Sequence, residues 1–197
     1  QATDQTRLLT ALHAYATGLT RLGAAHPAVF KAELARGPRP LIRALLGLAL
    51  ALNGDLEAHG LLRRLTDSIS PEDWLIKILA NEGLIVLANS AAGAERVPLT
   101  EQVAALADRD LRVRTSVAYL LLGTGNPAYW PYLAKLADAD EPALRRAALP
   151  AIFALAHAGE AAARKTLNGL AEFDRDKAVR EEAKQLQAQL KEGSVGT

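Results

Sequence analysis

Residues 103–114 read Val103-Ala104-Ala105-Leu106-Ala107-Asp108-Arg109-Asp110-Leu111-Arg112-Val113-Arg114. An apolar residue is followed three positions later by leucine, a small residue and an acid; a few residues on, an apolar residue is followed by a cation. Both halves recur. The first returns as Leu133-Ala134-Lys135-Leu136-Ala137-Asp138, as Leu167-Asn168-Gly169-Leu170-Ala171-Glu172 and, earlier, as Leu62-Arg63-Arg64-Leu65-Thr66-Asp67, with a degenerate copy at Glu33-Leu34-Ala35. The second returns as Ile42-Arg43, Ile76-Lys77, Leu144-Arg145 and Val179-Arg180. The anchoring leucines Leu34, Leu65, Leu106, Leu136 and Leu170 are 31, 41, 30 and 34 residues apart. A linked pair of signals at such intervals marks an internal repeat.

The unit is a helical hairpin. Apolar residues after each cation return at helical spacing, as in Val113, Val117, Leu120 and Leu121. Asn53-Gly54, Gly93, Gly123 to Pro127 and Gly159 punctuate the copies. Ser70-Pro71-Glu72-Asp73 reads as a helix cap with proline in the first helical position. No stretch alternates apolar and polar residues long enough to argue a strand, and the apolar cluster Leu84 to Leu87 falls inside a helical stretch. One hairpin cannot bury its apolar face alone, and stacked hairpins can. The expected architecture is therefore all-α, an α-solenoid of about five antiparallel helix pairs, with ten or eleven helices on that logic. It forms a single domain over residues 1–192. Within it a capping helix lies near Asp4 to Leu22 (residues 1–23 with its flanks), and a polar C-terminal capping helix spans residues 177–192, followed by a flexible tail over 193–197. Pro150, inside the helix that begins near Leu144, is expected to bend it.

The unit Leu106-Ala107-Asp108-Arg109-Asp110-Leu111-Arg112-Val113-Arg114, and the copy Asp174-Arg175-Asp176-Lys177-Ala178-Val179-Arg180, resemble HEAT repeats, above all the short bacterial type also called PBS-lyase HEAT-like repeats. The resemblance runs from about residue 99 to 190. It is weaker from Leu34 to Asn89, where spacing is irregular and Lys77 replaces arginine. What it implies is a fold, and most often a scaffold or adaptor that binds a partner along its concave face; a minority of such proteins bind DNA, among them glycosylases acting on alkylated bases.

Composition narrows the chemistry. The 197 residues are half apolar, and 23 Lys and Arg face 22 Asp and Glu, so the net charge of +1 provides no strong pull toward nucleic acid or an anionic membrane. There is no cysteine, which removes disulfides and thiolate chemistry together. The most apolar stretch, Ala44 to Leu52, is nine residues long against the roughly 20 a bilayer needs, so no membrane span is expected. Gln1-Ala2 suits the start of a mature exported protein, and equally a trimmed piece of a longer one; the reading leans to a periplasmic or secreted protein.

The four histidines, His13, His26, His59 and His157, show no metal-ligand spacing, so neither a metal nor a cofactor is expected. Ser68, Ser70, Ser90, Ser116 and Ser194 have no nucleophile-elbow setting, and Gly123-Thr124-Gly125 lacks the lysine of a phosphate loop. No catalytic residue is assigned, and the chain is read as non-enzymatic. The per-repeat cations Arg43, Arg114, Arg145 and Arg180 are expected to pair with turn acids, with a phosphate-gripping ladder as the competing reading. Two clusters are candidate partner contacts: the aromatic Tyr129, Trp130 and Tyr132, and the basic Arg36, Arg39 and Arg43, near which Lys31 and Arg63-Arg64 also fall. Trp74 is expected in the core. The leading expectation is a scaffold or adaptor for a protein or peptide; the alternative is a nucleic-acid-binding protein, with a base-excision enzyme as its catalytic form.

Overall fold

A computed structural model describes residues 14, 18, 19, 21, 26–67, 70–91 and 93–193. Most of the expected capping helix over Asp4 to Leu22, the tail beyond Gly193, and His13, Ser68 and Ser194 lie outside them. The described residues form an all-helical chain with no strand, and no helix among them is long and apolar enough to cross a membrane. The helices are α1 (Pro27–Ala35), α2 (Pro40–Leu52), α3 (Ala58–Thr66), α4 (Trp74–Ala88), α5 (Leu99–Val103), α6 (Leu111–Gly123), α7 (Trp130–Ala134), α8 (Pro142–His157), α9 (Ala161–Phe173) and α10 (Lys177–Gly193). Short 3-10 turns precede α4 and α7 and follow α5 and α7. The chain falls into two compact units, Gln1–Val113 and Arg114–Thr197.

Prolines open α1, α2 and α8 at the first turn, where a missing N–H costs no helical bond. The Ser70 cap is different. Pro71 starts a 3-10 turn, Pro71–Asp73, and the Ser70 side chain makes no capping hydrogen bond. The expected cap is thus absent in its side-chain form: the tighter turn leads into α4, whose own first residue is Trp74. Pro150 is exposed, and α8 continues through it from Pro142 to His157.

In the first unit α2 packs on α4, and α3 packs on both. Helix α2 buries eight consecutive residues, Ala44 to Ala51, because neighbours cover it on several sides. Helix α3 is amphipathic instead: Ala58, Leu62 and Leu65 are buried, while Arg63 and Arg64 face water. Leu62 is the key of this unit. It is fully buried against two glycines, Gly47 of α2 and Gly83 of α4, where an added Cβ would lie 2.8 and 2.7 Å from its methyls. Burying one leucine contributes about 1.5–3 kcal/mol. In the second unit α9 packs on both α8 and α10, α8 also meets α10, and α7 packs on α8. Leu144, Leu149 and Ile152 of α8, Leu167 of α9, and Val179 and Ala183 of α10 are fully buried there.

Candidate functional site

Each repeat cation occupies the same place: Arg43, Lys77, Arg114, Arg145 and Arg180 are the fourth residues of α2, α4, α6, α8 and α10. Side chains on a helix tilt toward its N-terminus, so a long cation there lies back over the first turn and the chain that enters it. Arg145 shows what this achieves. One terminal nitrogen donates to the carbonyls of Ala139 and Asp140 in its own turn, at 2.8 and 2.7 Å. Nε and the other terminal nitrogen grip both carboxylate oxygens of Asp174, at 2.7 and 2.8 Å. Asp174 lies 29 residues on, in the turn of the following repeat. The pair is buried, with side chains 7% and 3% exposed. The Arg145 hydrogen bonds hold the Asp174 carboxyl below the usual carboxylate range against the opposing pull of burial.

The same reach is made twice more. Lys77 donates to Asp108, 31 residues ahead, at 2.9 Å. Arg114 donates to Glu141, 27 residues ahead, at 2.6 Å, and holds that carboxyl low by the same hydrogen bond. The expectation that the arginines serve turn acids holds for Arg114 and Arg145, and Lys77 does the same; the acid lies about 30 residues ahead, in a later turn. The turns are built for it. One oxygen of Asp108 accepts from the Asp110 amide and the other from Lys77; Asp110 then accepts from the Arg112 amide at the start of α6. Asp174 accepts likewise from the Asp176 amide, and Asp176 from the amides of Ala178 and Val179. Arg180 donates to the carbonyls of Asp174 and Arg175 in its own turn.

Arg43 is the exception. Its side chain has no hydrogen bond or ion pair among the described residues, and its buried Nε, like that of Arg114, has no partner among them. Arg43 lines a cleft of about 330 Å³ together with Lys31 and Leu34 of α1, Gly37, Leu50 of α2, and Glu57, Ala58, Leu61 and Arg64 around α3. Gly37 shapes its mouth: with φ +69° it takes the left-handed conformation that ends α1, its amide bonding the Leu34 carbonyl, before Pro40 starts α2. Lys31 is held by Glu57 at 2.8 Å and Asp55 at 3.0 Å, which raises its pKa above the ordinary lysine value, Glu57 contributing most. The lining therefore carries three cations against the single carboxylate of Glu57.

The other candidates scatter. Arg36 pairs with Glu33 on the surface of α1, and Arg39 is exposed at the entry to α2. The neighbours Arg63 and Arg64 part company: Arg64 joins the Arg43 cleft, whereas Arg63 faces a second cleft of about 460 Å³, beside Glu101, Asp67, Asn81 and Asp108. There His59 meets Glu101 at 3.2 Å, 42 residues away. The aromatic cluster needs correction. Tyr129 is 1% exposed and is one of the largest fully buried side chains, so its ring is core and not a contact surface. Trp130 and Tyr132 are half-buried, and Lys135 lies 5.5 Å over the Tyr132 ring. Trp74 is half-buried rather than core, with the Arg112 guanidinium 4.5 Å over its ring and held in turn by Asp110. Among the described residues no group of three or more His, Asp or Glu is placed to hold a metal.

Compared with protein-family models and with curated proteins, the chain matches none. The class defined by the structure is an all-helical protein with a repeated cation-to-next-turn contact.

Proposed function

We propose that the chain is a HEAT-like α-solenoid that works as a non-enzymatic scaffold or adaptor, binding a protein or peptide along the face made by its second helices. One observation carries the reading. Lys77, Arg114 and Arg145 are each spent on the acid of the following turn, so they fasten neighbouring repeats and are withdrawn from any external phosphate. This supports a rigid support surface better than a ladder that grips a nucleic-acid backbone. The experiment is to pull the tagged protein from lysate of its source organism with and without nuclease. A protein partner retained after nuclease is the expected result. Enrichment that vanishes with nuclease overturns the reading.

A second reading, nucleic-acid binding, is favoured by the cations left over: Arg39, Arg43 and Arg64 have no carboxylate partner among the described residues. It requires affinity for duplex DNA that falls steeply with salt. Flat binding across a salt series removes it.

A further inference from the structure

Arg43 holds the position from which Lys77, Arg114 and Arg145 each reach a carboxylate, and it reaches none among the described residues. Arg180 also lacks a carboxylate among the described residues, but the carbonyls of Asp174 and Arg175 occupy its guanidinium. Arg43 has neither substitute. The acid that the repeat pattern offers it, Asp67, does not line its cleft. What does line it is cationic, with Lys31 and Arg64 beside Arg43, and apolar, with Leu34 and Leu61. The one carboxylate, Glu57, is engaged by Lys31. A planar guanidinium fits a carboxylate through two parallel N–H donors, and leucine walls suit the aliphatic stem of an acidic side chain.

We propose that this cleft receives the carboxylate of an acidic partner segment, the guest supplying to Arg43 what Asp108, Glu141 and Asp174 supply to the other cations. Arg43 grips the carboxylate and Arg64 draws it in from the rim. The proposal rests on the adaptor reading and names the chemistry of the partner.

The test uses the whole chain with fluorescein-labelled hexaglutamate, hexaglutamine, inorganic phosphate and a short DNA duplex as probes. Binding is followed by anisotropy and by the Arg43 Nε–H resonance in ¹⁵N-labelled protein. Hexaglutamate binds and shifts that resonance downfield, and hexaglutamine does neither. Arg43→Gln weakens hexaglutamate by about tenfold or more, as expected for one charge-assisted contact. Arg64→Gln weakens it less, and Arg109→Gln, an exposed arginine in another turn, leaves it unchanged. A resonance unmoved at saturating hexaglutamate overturns the proposal. So does an Arg43→Gln variant that binds as tightly as wild type, or a response to phosphate or duplex alone. If the proposal falls while wild type and Arg43→Gln retain the same nuclease-resistant protein partner, only the site is lost and the adaptor reading stands.

Discussion

Arg145 in the second unit and Arg43 in the first stand at the same position of the same kind of helix, each behind a first-turn proline, Pro142 or Pro40. Arg145 is saturated, bonded to two carbonyls and both oxygens of a buried carboxylate. Arg43 is idle, beside an open cleft. One repeat position thus serves two ends. Where a later turn offers a carboxylate in reach, the cation becomes part of the framework; where it does not, as at Arg43, the guanidinium is left beside an open cleft.

The largest effect should come from the saturated side. Arg145→Ala strands Asp174 without its partner, and removing one member of a buried pair costs about 3–5 kcal/mol. Thermal or urea melting reads it, and an unchanged midpoint would make the contact ornamental and erase the contrast. Lys77→Ala tests an intermediate case: that pair is about 15% exposed on each side, so a loss of about 1–3 kcal/mol is expected in urea melts. Acid sharpens the comparison. The folded-state pKa of Asp174 is depressed, so its contribution is present above the unfolded carboxylate value of about 3.9 and is lost as pH falls through the lower folded value. Wild type should therefore exceed Asp174→Asn in melting temperature at neutral pH, with the gap closing below about pH 4; a constant gap contradicts the assignment. The smallest effect belongs to Arg43. With no partner to lose, Arg43→Gln should melt within about 0.5 kcal/mol of wild type by the same denaturant titration. A large loss would mean that Arg43 is structural after all.

The helical class is legible in the sequence because it is a matter of spacing, and the apolar periodicity and Gly turns carry that spacing directly. So was the link between cation and acid, since both types recur together. What the sequence withholds is direction. Nothing in Arg114 says that it passes over Asp138 and settles on Glu141, or that Lys77 reaches forward by 31 residues rather than to a local acid. Arg63 and Arg64 look like one patch on paper, but adjacent helical residues point about 100° apart, and they enter different clefts. Tyr129 and Trp130 look equally like anchors. Only packing distinguishes the ring that is enclosed from the one that is half open.

Asp174 closes two rings at once, a tight one through the Asp176 amide and a wide one through Arg145. The tight ring holds the carboxylate in place for the distant guanidinium, which lowers the entropic cost of the wide ring. The entry to α10 is thereby tied to the start of α8, and the exchange rate of the Asp176 amide proton is the measurement that reads the tie.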